Sequence, residues 1–225
     1  MALPATGRLP LLNADRHHNR SDISVSVVRS LDDLQKVYIL RALTYMAEQE
    51  CPYEEEFDGN DLCALHLLAL ENGQPAGSLR IRFFSDFCKI ERVCIDPRRR
   101  GGALLNFLMA HAFEIIARKG YKRALAYIQA RLEHMWKHVM TCEVIAREGF
   151  GVSGFDYLTL DIPVPDHPEA IRFDSDPFIV LRPEGAWDEA GVLDPKHGGA
   201  VAVPPAPQPM HTPSRASQEM RARAS

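Results

Sequence analysis

The sequence predicts an α/β fold with a mixed central β-sheet flanked by helices. Short apolar or alternating segments, typical of strands, are interspersed with longer segments of helical spacing. The two kinds alternate in the middle of the chain, and strand-like segments cluster towards both ends, a pattern that favours a mixed sheet. A chain of 225 residues, 46% hydrophobic and 25% charged, is large enough for a globular core.

The predicted elements follow the order β-α-β-β-β-α-β-α-β. Ser30 and Asp33 resemble a capping box at the start of a helix that we expect to end near Cys51-Pro52. Gly120 occupies the position of a helix C-cap. We expect strands at 23–27, 65–70, 77–84, 89–95, 123–129, 155–162 and 178–181, helices near 31–50, 102–119 and 132–140, and a turn at 71–74.

The two ends of the chain are predicted to lie outside the folded domain. Residues 1–21 show little apolar periodicity and predict a flexible arm. Residues 191–225 are rich in Pro and Ala and predict a disordered tail, because they cannot bury enough surface. The domain therefore covers 22–190, with an extension from about 164 in which 182–187 are a candidate clasp across the domain.

Composition narrows the partners and the compartment. A net charge of −4 and a pI near 6.1 disfavour nucleic acid and anionic membranes as partners. Five scattered cysteines without a CxxC pair favour a reducing compartment. No stretch has the length of a membrane span. We therefore expect a cytoplasmic protein.

The most informative segment is 90–105. A strand ends in the turn Asp96-Pro97, three arginines and two glycines follow, and an amphipathic helix begins. Unpaired N–H groups and the helix dipole favour an anion at such a helix start, and arginines complement a diphosphate. The alternative, which stays open at this point, is a structural turn with a solvated basic surface.

This segment resembles motif A of the GNAT superfamily, Gln/Arg-x-x-Gly-x-Gly/Ala, which Arg98, Gly101 and Ala103 fill. The resemblance extends over most of 23–163 and implies acetyl-CoA or another acyl-CoA as co-substrate. It also implies that main-chain groups on the preceding strand contact the pantetheine arm and that the loop holds the pyrophosphate. The implied cofactor residues are Val93, Cys94, Ile95, Arg98, Arg99, Arg100, Gly101, Gly102 and Ala103.

Two weaker resemblances rank the possible subfamilies. Residues 48–53 with Asp58-Gly59 and His66 look like the ElaA-like branch of GNAT proteins. Residues 90–93 are similar to the matching strand of acyl-homoserine lactone synthases and N-acyl amino acid synthases.

The candidate catalytic residues are Glu91 and Tyr127. Acyl transfer to an amine needs a base, and Glu91 lies on the strand before the loop, where several GNAT enzymes keep a carboxylate. The alternative is an ion pair with a nearby arginine. The tyrosine that commonly protonates the CoA thiolate in the family is replaced by Ile145 or Trp136, according to the alignment. Tyr127 and Tyr157 are nearby, and Tyr127 is the candidate acid; the alternative for each is a packed aromatic with a surface hydroxyl.

The candidate substrate-binding residues are Arg80 and Arg82, which share one strand face and form a candidate fork for a substrate carboxylate. The alternative is a solvated sheet face. The acidic run 54–61 either attracts an amine or is a solvated loop. His134 and His138 are spaced i,i+4, but no third ligand is in register, so no metal is expected.

These observations predict an acyl-CoA-dependent N-acyltransferase, foremost an N-acetyltransferase, that acts on a small-molecule amine. One alternative is a long-chain N-acyl amino acid or lactone signal synthase. The other is a non-catalytic CoA-binding module of GNAT fold. A homodimer is compatible with the sequence and has no specific support in it.

Overall fold

The computed structural model describes residues 22–146, 151–152 and 154–195. The chain divides into one unit of residues 1–191 and a second of 192–225. Of the second unit the structure describes 192–195, which form turns and a bend. The predicted arm at 1–21 and the part of the predicted tail from 196 onward lie outside the described residues.

The strands form a mixed sheet in the order β1-β2-β3-β4-β5-β8-β6, and β7 pairs with β8 off this path. β4 and β5 are parallel, whereas the other pairs are antiparallel. The predicted fold class is confirmed. The strands are β1 (Ile23–Val27), β2 (Leu65–Glu71), β3 (Gln74–Phe83), β4 (Cys88–Ile95), β5 (Arg123–Gln129), β6 (Glu143–Ala146), β7 (Gly151–Val152) and β8 (Phe155–Pro163).

Helices cover both faces of the sheet. α1 (Leu31–Arg41) packs on β2, β3 and β4, and α3 (Leu104–Arg118) packs on β1, β2 and β3. The Ser30 hydroxyl caps α1 by accepting from the Asp33 N–H at 3.1 Å, as predicted. The shorter helices are α2 (Tyr53–Glu56), α4 (Glu133–Val139) and α5 (Pro177–Leu181), with 3₁₀ turns at Asp61–Cys63, Pro97–Arg99 and Ala130–Leu132.

The first helical segment does not stay α-helical to its end. After Arg41 the chain continues as a π-helix, Ala42–Glu48. Its wider turn is rare and is found frequently at functional sites. Glu50 at φ 54° then reverses the chain, and the Cys51 N–H donates to the Tyr45 carbonyl at 2.9 Å. The helix therefore ends where the sequence predicts, although its last turns are not α-helical.

One predicted strand is wrong and two strands were missed. Residues 178–181 belong to helix α5, because the Asp176 side chain caps the Phe178 N–H at 2.8 Å and Pro177 fits the first helical position. β6 and the two-residue β7 are too short to give a periodic signal.

The extension after β8 returns across α3. Trp187 is buried in the main core, and the Arg118 guanidinium lies 5.8 Å from its ring centroid. Arg118 also donates to Glu169 at 2.7 Å and to Asp188 at 2.9 Å. This is the clasp arrangement expected of 182–187. No helix in the described ranges is long and apolar enough to cross a membrane.

Candidate active site

The central feature of the sheet is the point where β4 and β5 separate. They pair only from Cys88 to Ile90 and from Ala124 to Ala126, at the start of each strand. Beyond this point β4 carries a bulge. Glu91 lies opposite Arg80 and Cys94 opposite Ser78, so two residues of β4 face one residue of β3. Arg92 within the bulge has a φ of 53°. Such a bulge bends the strand and leaves a residue unpaired, which is consistent with the separation from β5.

The separation creates a cleft of about 110 Å³. β4 and β5 form its two walls, and the π-helix, α4 and β8 contribute the remaining side chains. Apolar and aromatic groups predominate, with a few polar groups at defined places. The lining residues are Tyr45, Gln49, Ile90, Glu91, Arg92, Val93, Ala126, Tyr127, Ile128, Gln129, Leu132, Trp136, Met140 and Tyr157.

The π-helix connects the two walls. The Tyr45 hydroxyl donates to the Val93 carbonyl on β4 at 2.7 Å. Gln129 Nε2 on β5 donates to Gln49 Oε1 at 2.8 Å. Burial raises the pKa of Tyr45 well above its ordinary value, so we interpret this phenol as a hydrogen-bond donor rather than a proton source. Neither Tyr45, in the π-helix, nor Gln49, which follows it, was predicted to be a site residue. The apolar stripe includes Tyr45, but no spacing rule indicates the π-helix.

The Arg–Gly loop lies at the far end of β4. Asp96 caps the turn that starts it by accepting from the Arg98 N–H at 3.0 Å. Gly101 at φ 83° uses the left-handed conformation, which a larger side chain rarely adopts. α3 follows, and its first N–H groups have no partner within the helix. An open depression of about 610 Å³ is lined by Glu71, Arg98, Arg99, Arg100, Gly101 and Gly102.

Each arginine of this loop is already paired with a carboxylate. Arg98 pairs with Asp96 at 2.7 Å and Arg99 with Glu71 at 2.5 Å. Arg100 binds both oxygens of Glu48, the last residue of the π-helix, at 2.7 and 2.5 Å. An incoming diphosphate therefore has to share these guanidinium groups with carboxylates. The Arg98 side chain is 82% exposed and is the most accessible of the three.

Glu91 belongs to a buried network of charges beside the cleft. Its Oε1 accepts from Arg80 Nε at 2.9 Å, and its Oε2 lies 2.6 Å from Lys89 Nζ. Arg80 also donates to Asp58 and Asp61, and Asp61 accepts from Arg41 as well. Arg41 and Arg80 have no solvent exposure. The ion pair with Arg80 that was the alternative for Glu91 is therefore present, and it orients the carboxylate.

The acidic residues of this network differ in how the surroundings shift their pKa. Burial alone would raise the pKa of Asp58 and of Asp61, but hydrogen bonds from arginines hold both below the ordinary value. For Glu56, burial outweighs Arg41 and Arg92, and the pKa is raised. Burial lowers the pKa of His66, whose Nε2 lies 3.0 Å from the Asp61 carbonyl oxygen. His66 is therefore neutral at pH 7.

Two expectations for the charged residues need correction. The acidic run 54–61 is not simply a solvated loop, because Glu56 and Asp61 are buried and bind Arg41. The prediction of a solvated sheet face is also wrong for Arg80, which is buried. Its guanidinium group pairs with Asp58, Asp61 and Glu91 and is not open to a substrate. Arg82 is different, since its side chain is 29% exposed, stacks over Phe84 and lies 4.0 Å from Glu91. Its substrate role stays a prediction.

The structure brings Tyr127 and Glu91 to the same cleft. Tyr127 is 38% exposed, and Lys89 Nζ lies 4.7 Å from its ring centroid. Trp136, one of the two residues aligned with the family's tyrosine, is buried in the cleft wall. In the described part of the chain, no three His, Cys, Asp or Glu side chains lie close enough together to hold a metal ion.

Comparison with known proteins agrees with this arrangement. The model of the acetyltransferase (GNAT) family matches residues 34–138. A Bacillus subtilis (strain 168) protein named as an acetyltransferase is 33% identical over 101 residues, which are 44% of this chain and 69% of the relative. The region matched by the family model contains the π-helix, the bulged strand, the Arg–Gly loop and most of α4.

Solved structures include members of both branches noted in the sequence. Escherichia coli ElaA superposes with a TM-score of 0.51 at 22% identity, covering 62% of this chain and 99% of ElaA. The CoA-dependent acyl-homoserine lactone synthase BjaI gives a TM-score of 0.54 at 17% identity, covering 64% of this chain and 84% of BjaI. At these identities the likeness establishes the fold. The Bacillus relative and the family match together show that the chain belongs to the acetyltransferase (GNAT) family.

Proposed function

We propose that this protein is an acyl-CoA-dependent N-acetyltransferase that transfers an acetyl group to a small-molecule amine in the cytoplasm. The observation that carries the proposal is the small cleft between the separated β4 and β5, with the Arg–Gly loop at the open end of β4. The loop supplies a diphosphate site, and the cleft supplies a channel for an extended thiol arm.

This geometry supports the proposed set of cofactor-binding residues. The depression lined by residues 98–102 receives the pyrophosphate through α3 N-terminal N–H groups and the exposed face of Arg98. Main-chain groups of residues 93–95, next to the bulge, face the arm. The Val93 carbonyl is bound by Tyr45, which supports contacts through neighbouring N–H and C=O groups rather than through that oxygen.

The size of the cleft favours a short acyl group. About 110 Å³ is the volume of three or four water molecules. Trp136 and Met140, which line the cleft, are bulky side chains packed in the core and leave little room beside it. This argues against the long-chain synthase alternative, despite the shared fold with BjaI. An acetyl donor fits the available volume best.

Three groups in or beside the cleft are the proposed catalytic groups: a base, a backbone oxyanion site and a proton donor. Glu91 lines the cleft with its carboxylate fixed by Arg80, so it is placed to take a proton from the acceptor amine directly or through water. A bulge leaves its extra residue unpaired, so a backbone N–H of β4 at this point is the proposed group that stabilises the oxyanion of the tetrahedral intermediate. Tyr127 is the proposed proton donor to the CoA thiolate.

Thiol release from acetyl-CoA with a panel of primary amines tests the enzymatic function. We expect Glu91→Gln to lower turnover by about 100-fold or more, because general-base catalysis contributes about 10²–10⁴-fold. Acetyl-CoA affinity should be retained, because glutamine keeps the shape of the side chain. If wild-type protein binds acetyl-CoA but releases no thiol with any amine, the non-catalytic CoA-binding module is the better account.

A further inference from the structure

Lys89 lies on β4 where this strand is still paired with β5, opposite Leu125, and its ammonium group contacts two residues that line the cleft. Lys89 Nζ lies 2.6 Å from Glu91 Oε2 and 4.7 Å from the centroid of the Tyr127 ring. Glu91 and Tyr127 both line the cleft, and the Lys89 side chain is 19% exposed. A carboxylate and an aromatic face are the groups that bind an alkylammonium. Lys89 therefore provides, within the protein, the kind of group that an acceptor amine would bring.

The expected path of the acyl-CoA thiol arm also ends near Lys89. The Arg–Gly loop follows the end of β4, whereas β4 and β5 converge at residues 88–90 and 124–126. A thiol arm that enters from the loop and follows the separation of the strands ends near Glu91 and Tyr127. If Glu91 is the base for the acceptor, the acceptor nitrogen must lie within hydrogen-bond reach of it. Lys89 Nζ already satisfies this condition.

We propose that Lys89 is a self-acylation site of this protein, an inference that rests on the proposed donor function. Glu91 removes a proton from the Lys89 ammonium, and the free amine attacks the thioester carbonyl. The N–C bond forms and the C–S bond breaks, which leaves an amide on Lys89 and releases CoA. Of the two protons that the ammonium loses, one ends on the CoA sulfur and the other passes to solvent.

Two other lysines in the described part of the chain provide internal controls. Lys122 and Lys137 have side chains 57% and 47% exposed, and Lys137 pairs with Glu133 on the surface of α4. Their ion-pair partners, Asp166 and Glu133, do not line the cleft, whereas Glu91 and Tyr127, which contact Lys89, do. Uncatalysed acylation by a thioester in solution should follow exposure and therefore favour these two residues over Lys89. Preferential modification of Lys89 would indicate a reaction within the cleft.

The test is to incubate the full chain with acetyl-CoA and to follow acetylation of each lysine by peptide mass spectrometry. We expect Lys89 to react at least about tenfold faster than Lys122 and Lys137. The rate constant should not depend on protein concentration, and excess CoA should protect Lys89. Glu91→Gln should slow the reaction by about tenfold or more, because the proton acceptor is lost. Lys89→Arg should remove the signal and leave the surface lysines unchanged.

Two outcomes would overturn the inference, and calorimetry with acetyl-CoA distinguishes them. If the protein binds acetyl-CoA and acetylates an added amine, but Lys89 reacts no faster than Lys122, self-acylation is wrong and the proposed function stands. If acetyl-CoA does not bind and no thiol is released, both proposals are wrong. The acetyl-CoA affinity of each variant is measured before its acylation rate, so that loss of binding is not mistaken for loss of catalysis.

Discussion

Arg41 and Arg80 both donate to Asp61 Oδ1, at 2.6 and 2.7 Å, from opposite elements of the fold. Arg41 ends α1 and Arg80 lies on β3. Asp61 therefore joins the helix that leads into the π-helix to the strand that orients Glu91. At the scale of single residues, the position of the candidate base depends on carboxylates that are distant in sequence.

Removing one partner from this network should be costly. Arg41→Met removes one arginine partner from each of the buried carboxylates Glu56 and Asp61, and breaking a buried pair costs about 3–5 kcal/mol. We expect the free energy of unfolding to fall by that amount in urea denaturation. Arg123→Met is the matched control, because Arg123 is 64% exposed and its pair with Asp161 contributes about 1 kcal/mol or less. Equal losses in the two variants would contradict the importance of burial.

At the scale of elements, β3 sets how closely α3 approaches the sheet. Gly77 lies opposite Ile95, the last residue of β4 before the loop. A Cβ at this position would come within 2.6 Å of Ile95 Cδ1, 3.0 Å of the Cys94 carbonyl and 3.0 Å of Leu108 Cδ1. Glycine is therefore required by close packing between the strand, the helix and the start of the loop.

Gly77→Val should overpack this contact and destabilise the protein by about 1–3 kcal/mol. Urea denaturation measures the loss. Gln74→Val places the same side chain at an exposed position of the same strand and should change stability by about 0.5 kcal/mol or less. If Gly77→Val is as stable as this control, β3 and α3 do not pack as tightly as described.

The same scale shows which elements the sequence could predict. The β2–β3 hairpin was predictable because Asn72-Gly73 is a strong turn signal, and both residues adopt positive φ. α3 was predictable from its apolar stripe. Residues 178–181 were wrongly predicted as a strand, because a run of four apolar residues is compatible with a strand or a helix. The Asp176 side chain, which caps the first turn, stabilises the helix. The burial of Glu56 and Asp61 was not predictable, since their partner Arg41 is 15 and 20 residues away.

At the scale of the whole molecule, the extension after β8 packs against β1 and the end of α3. Gly185 lies so close to β1 that an added Cβ would be 2.5 Å from Val27 Cγ2. Lys119 pairs with Glu184, and Arg29 donates to the Glu184 carbonyl at 2.9 Å. The extension is therefore part of the folded domain rather than a separate appendage.

Trp187→Ala should reveal how much the clasp contributes. Trp187 is 7% exposed within the main core, and truncating a buried tryptophan costs about 3–5 kcal/mol. Thermal or urea unfolding measures the change. Phe173→Ala is the control, because Phe173 belongs to the same extension and is fully exposed. Similar stability of the two variants would show that the clasp contributes little.

The central claim is that the Arg–Gly loop and the separated strands bind a short-chain acyl-CoA. Calorimetric titration with acetyl-CoA and with palmitoyl-CoA, on wild type and on Arg98→Ala/Arg100→Ala, tests it most directly. We expect acetyl-CoA to bind wild type, palmitoyl-CoA to gain no affinity from its chain, and the double variant to bind acetyl-CoA at least about tenfold more weakly, because charge-assisted hydrogen bonds contribute about 1.5–3 kcal/mol. Absence of binding, or affinity unaffected by the substitutions, would contradict the account.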